Sequence, residues 1–164
     1  MPAMTLRRLY SILLLAVISI GWTSASTAST INPLQNHPSP YLRLHAGDPV
    51  NWSLWNDATL ERAAQKGQLI YLSIGYFSCH WCHVMQRESF NDPAVAAYLN
   101  KHFVAVKVDR ETHPELDRRM MAFVETVRGA AGWPLNVFLT PDGYPVTGFT
   151  YVPRDGFIAA LEQM

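Results

Sequence analysis

The chain has 164 residues, 13 basic and 13 acidic side chains, and a 49% hydrophobic share, which bounds it to one ordinary globular domain plus whatever stands at its ends. That hydrophobic share excludes a disordered chain. A formal net charge of zero supplies no basic field for nucleic acid or an anionic membrane.

In chain order the first segment reads as a leader. Arg7 and Arg8 precede an apolar run over residues 9–20, and the small polar stretch TSASTAST follows. Charged, apolar, then small is the order of a secretory signal. The run is shorter than the roughly 20 residues of a spanning helix, so a signal peptide is expected over residues 1–28, with a retained N-terminal anchor as the alternative. A membrane partner is expected only if that segment is retained. The expected location is periplasmic or secreted, an oxidising setting in which a cysteine pair can persist as a disulfide.

Residues 29–56 are proline-rich and carry no sustained period, so an irregular arm is expected that wraps rather than folds alone. Trp52 and Trp55 within it read as packing residues. A domain over residues 57–164 follows. WNDATLERAAQKG predicts a helix capped by Asn56 or Asp57 and stopped at Gly67. QLIYLSIGY is an apolar, β-branched and aromatic run of strand length, suited to a sheet covered on both faces. DPAVAAYLNKHF starts another helix, with Asp92 as cap and Pro93 in the first turn. FVAVKVD is the next strand, and Asp109-Arg110-Glu111 after it reads as a solvated turn. HPELDRRMMAFVETV predicts a third helix with Leu116, Met120, Phe123 and Val127 at helical spacing. PLNVFLT and YPVTGFTYV flank Pro141-Asp142-Gly143 as a hairpin, and RDGFIAALEQM closes the chain as an amphipathic helix. This alternation implies an α/β fold with a mixed central sheet and helices on both faces.

The chemistry is concentrated in FSCHWCHVM, just past the first strand. Cys79 and Cys82 are the chain's only cysteines, and the motif reads four ways: a redox dithiol, a c-type haem attachment with His83 as axial ligand, part of a metal site with His80 or His83, or a structural staple. As a staple its short loop stabilises by only roughly 2 kcal/mol. A metal site would crowd all its ligands onto one helical turn, whereas closed sites draw on a second segment. As a dithiol, Cys79 at a helix start is the expected nucleophile, because free amides and the positive dipole end favour a thiolate there. Cys82, one turn further in and more shielded, is the resolving thiol. His80 could add positive charge or move a proton, and Trp81 could shield the sulfurs or offer a flat contact to a bound peptide.

Three long stretches, SPYLRLHAGDPVNW, LSIGYFSCHWCHVMQRESFNDPAVAAYLNKHFVAVKVDRE and GWPLNVFLTPDGYPV, resemble the thioredoxin-like domain of the spermatogenesis-associated protein 20 family (domain of unknown function 255), here read as an exported stand-alone domain. The resemblance runs from about Asn32 to Pro153. It implies a thioredoxin-like fold with Cys79 and Cys82 as the redox-type pair and Pro134 in the place of the cis-proline that faces such pairs. Long members of the family carry a helical toroid after this domain, and activity residing there is not carried over. The buried acid that thioredoxins hold six residues before the first cysteine is Ser73 here, which implies different proton handling. The expected function is reduction or isomerisation of protein disulfides, with protein thiols or disulfides and a dedicated redox donor as partners and without a cofactor or metal. The alternative is a non-catalytic thioredoxin-like binding module, or a metal-binding protein using the Cys/His cluster.

Overall fold

Local signals decide where the elements begin and end in the computed structural model, which describes residues 32–164. The leader read over residues 1–28 lies outside the described residues. Helix α1 (Pro40–Leu44) is followed by a single 3-10 turn, His45–Gly47. Helix α2 (Asp57–Lys66) starts where the Asn56 side chain accepts from the Thr59 amide and ends at Gly67, whose φ of 60° is left-handed. Strand β1 (Ile70–Gly75) leads into helix α3 (His80–Met85), which continues as a π turn, Gln86–Phe90. Then come α4 (Pro93–His102), β2 (Val104–Asp109), α5 (Pro114–Arg128), β3 (Leu135–Leu139), β4 (Pro145–Phe149) and α6 (Arg154–Glu162). The hairpin between β3 and β4 turns on Gly143, at φ 84°.

The sheet runs β2-β1-β3-β4, with β1 parallel to β2 and the other neighbours antiparallel. A mixed sheet lies between helices, as the alternation implied. Because side chains alternate across a strand, the two faces differ in chemistry. One is aliphatic: Ile70, Leu72, Ile74, Val104, Val106, Val108, Leu135, Val137 and Leu139 pack with Leu116, Met120 and Val124 of α5. The other carries Tyr71, Ala105 and Phe138, packed with aromatic and aliphatic residues of α3, α4, α6 and the N-terminal arm. Interleaved on that second face are Ser73, Lys107 and Asn136, all buried.

Two expectations change. The arm is not irregular throughout, because Ser39 and Pro40 form a helix start: the Ser39 side chain accepts from the Leu42 amide. The arm does wrap: Ser53 makes a parallel bridge with Val106, and Trp52 is buried in the core. In α5 the inward residue is Val124, while Val127 is 48% exposed. Both fit a helical period, and the packing of α5 against β3 and β4 selects between them. The closeness of that packing is testable at Gly148. A Cβ there would stand 2.5 Å from Val124 Cγ2 and 2.8 Å from the Asn136 carbonyl, so Gly148→Ala is expected to lower the unfolding free energy by about 2 kcal/mol. A urea midpoint unchanged from the wild type would contradict this.

Candidate functional site

The site grows from the end of β1. The chain leaves the strand at Gly75, turns through Tyr76 to Ser78, with the Cys79 amide donating to the Tyr76 carbonyl at 3.1 Å, and enters α3. Cys79 is the N-cap of α3, and its sulfur accepts from the Cys82 amide at 3.2 Å. The two cysteines are joined by a disulfide, with Cα atoms 5.3 Å apart. Cys79 is 3% and Cys82 1% exposed. The expected contrast between an exposed and a shielded sulfur is therefore missing from the disulfide state, because Cys79 caps the helix from within the aromatic core rather than from its rim.

Trp81 and His80 face outward. Trp81 is 51% exposed, with its ring 4.7 Å from that of Tyr151. His80 is exposed and packs edge-on against Trp81. The His83 Nε2 pairs with the Phe77 carbonyl at 2.8 Å. Among the described residues, no three His, Cys, Asp or Glu are grouped to hold a metal ion.

Pro134 arrives at the same end of the sheet from the other direction. Leu135 pairs with Ile74 in the antiparallel β1–β3 ladder, so the start of β3 lies beside the exit of β1. The Trp133–Pro134 peptide bond is cis, and Pro134 is buried. The Trp133 ring packs against Tyr76 at 5.6 Å, takes the Arg110 guanidinium at 3.9 Å, and donates from Nε1 to Asp117 Oδ1 at 2.8 Å. Arg110 is thus partly enclosed. Asp109, read from sequence as part of a solvated turn, is 3% exposed and accepts from Ser39 Oγ at 2.6 Å.

On the aromatic face of the sheet lies a polar group that the sequence left almost unread. Lys107 is fully buried; its ammonium donates to Ser73 Oγ at 3.0 Å and lies 4.3 Å from the Phe90 ring centre, 4.9 Å from that of Trp52 and 5.4 Å from that of Tyr41. Burial pushes its pKa down to about 7. His45 is pushed down to about 4 by burial and then by Lys107, so it is neutral and donates from Nδ1 to Asp48 Oδ2 at 2.7 Å. Burial acts to raise the Asp48 carboxyl, but the bonds from His45, Gln86 and Trp52 outweigh it and hold the pKa below the ordinary value. Polar residues in otherwise apolar strands, Ser73 in β1 and Lys107 two before Asp109 in β2, were the available signal.

Several known proteins are similar. The family model Thioredox_DsbH, described as "Protein of unknown function, DUF255", matches residues 31–163. Over 126 residues, 77% of this chain, the sequence is 44% identical to spermatogenesis-associated protein 20 of Mus musculus. The chain spans 16% of the length of the curated relatives of that name. A solved structure titled "DsbH Oxidoreductase" is similar at TM-score 0.54 and 19% identity, over 70% of this chain and 83% of that one. A thioredoxin from Thermus thermophilus is similar at TM-score 0.54 and 25% identity, over 68% of this chain and 85% of that one. The fold is thioredoxin-like.

Proposed function

We propose that this chain, which belongs to the Thioredox_DsbH family (DUF255), is an exported thiol–disulfide oxidoreductase that reduces or isomerises protein disulfides through Cys79 and Cys82. The observation that carries the reading is the Cys79–Cys82 disulfide at the start of the helix after β1, at the same sheet end as Pro134. In the reductive direction the Cys79 thiolate attacks a substrate disulfide. A mixed disulfide forms, and the other substrate sulfur leaves as a thiolate. Cys82, once deprotonated, attacks Cys79 Sγ, closes the internal disulfide and releases the second substrate sulfur. Two electrons pass to the substrate, and a thiol donor restores the pair.

The half-exposed rings of Trp81 and Phe77 are the contact surface that this reading assigns to a substrate segment, with the buried Pro134 at the same end of the sheet. His80 is assigned to the same rim, where a protonated ring would favour the Cys79 thiolate. Cys82→Ser, expressed as the full chain, should accumulate proteins attached to Cys79, whereas Cys79→Ser should capture at most a tenth as much, since only the former leaves an attacking thiolate unresolved. Equal capture by both variants, or none by either, would sink the proposal. The burial of both sulfurs favours a second reading, a non-catalytic binding module with the pair as a staple. Failure of the chain to turn over any protein disulfide would select it.

A further inference from the structure

The SPYLRLHAGDPVNW stretch also places one side chain over Gly75, next to the disulfide. Tyr41, on α1, is 1% exposed, and its phenol oxygen is one of two buried side-chain polar atoms among the described residues without a hydrogen-bond partner, the other being Ser89 Oγ. Buried hydroxyls are normally paired, so an orphan asks for an explanation. It stands over Gly75. A Cβ placed on that glycine would collide with the Tyr41 phenol oxygen and come within 2.6 Å of Cys82 Sγ. The glycine is thus the gap that lets the phenol and the resolving sulfur occupy neighbouring space.

We propose that Tyr41 is the hydrogen-bond donor that stabilises Cys82 as the leaving thiolate when the Cys79–Cys82 disulfide is opened. This rests on the reading of the pair as an exchanging disulfide. An incoming thiolate, from a small thiol or a protein dithiol, bonds to Cys79 Sγ; the Cys79–Cys82 bond breaks, and its electron pair goes to Cys82 Sγ. A disulfide sulfur is a weak acceptor, whereas a thiolate is a strong one, so the phenol that is unpaired in the closed state gains its partner in the open one. The phenol keeps its own proton: burial, Asp109 and Asp48 hold its pKa above the ordinary range. The other groups around it are fixed in role. Lys107 from β2 lies 5.4 Å from its ring centre, and His45 from the 3-10 turn packs edge-on at 5.0 Å. Ser73, which stands where thioredoxins carry a buried acid, is taken by Lys107. Tyr41 therefore does from α1 part of what a carboxylate on β1 would otherwise do.

The test uses the full chain with Cys79→Ser, so that Cys82 titrates alone, followed by NMR of an isotope-labelled cysteine Cβ. Adding Tyr41→Phe should raise the Cys82 midpoint by about one pH unit, a tenfold loss of thiolate. In the otherwise unmodified chain, at a pH above both Cys82 midpoints, Tyr41→Phe should shift the glutathione equilibrium about tenfold toward the disulfide, about 30 mV more reducing. Tyr71→Phe is the control, because it removes a buried phenol of the same core whose bond runs to Asn136 Oδ1 at 2.6 Å; it should move neither reading. An unmoved Cys82 midpoint in Tyr41→Phe overturns the proposal, and so does an equal shift in Tyr71→Phe. Should Tyr41→Phe not fold, the Cys79→Ser chain alone decides: a midpoint at or below the ordinary value of about 8.5 supports the donor, and a higher one overturns it. Neither readout needs a protein substrate, so a failed trapping experiment would remove the proposed function and leave this result legible.

Discussion

Lys107→Met is expected to stabilise the folded chain by about 3 kcal/mol at pH 7 and to remove a rise of stability with pH that the unmodified protein should show. The lysine has no route to water: it is 1% exposed, with its ammonium on Ser73 Oγ and against three aromatic rings. Burial takes its pKa from an ordinary 10.5 to about 7. Below about pH 7 both folded and unfolded chains hold the proton, and the full burial penalty of roughly 5 kcal/mol is present. Between about 7 and 10 the unfolded chain binds more proton than the folded one, so stability rises with pH. The rise ends at about pH 10, where unfolded phenols ionise while Tyr41 and Tyr71, both raised by burial, stay protonated. The ring faces return a part of the penalty, which sets the smaller figure expected for the variant. Urea midpoints at neutral pH and at about pH 9.5 measure both claims. A wild type equally stable at the two values would show that the ammonium is solvated.

Gly75→Ala is expected to cost about 3 kcal/mol in the disulfide form and about half of that in the dithiol form. The added methyl meets Cys82 Sγ at 2.6 Å and Tyr41 Cζ at 2.9 Å, and both residues are buried. Neither can swing into solvent. Once the disulfide is reduced, Cys82 Sγ is no longer held to Cys79 and can turn away, so the clash relaxes on that side. By the thermodynamic cycle the variant's disulfide must then be easier to reduce. Denaturant midpoints of the oxidised and reduced chains give the two losses. Equal losses would mean that the strain falls on Tyr41 alone.

Much of this architecture was legible in the chain. Asn56, Asp92 and Gly67 mark helix ends because caps and left-handed stops act within a few residues. The hairpin was legible for the same reason, since Gly143 supplies the positive φ that its turn requires. The cysteine pair could be placed at a helix start because a strand ends just before it. Ser39 was missed as a cap because proline-rich composition hides a helix of only five residues. Val124 and Val127 could not be separated, since both satisfy the helical period and only the sheet beneath α5 chooses.

What the sequence determined by itself is what neighbouring residues can decide: the caps, the strand lengths, the turn, and the two-residue gap that lets Cys79 and Cys82 close a ring on one helical turn. The tertiary structure decided which polar residues share a face. Lys107 lies beside Ser73 only because β2 pairs with β1 in one parallel register, and a slip of one residue would send it to the aliphatic side. Asp109 is buried only because Ser39, 70 residues earlier in the chain, folds back to donate to it. Tyr41 and Cys82 share the space over Gly75 only because that residue has no side chain. Each of these depends on contacts between distant segments, and a distant contact leaves no local period or spacing to read.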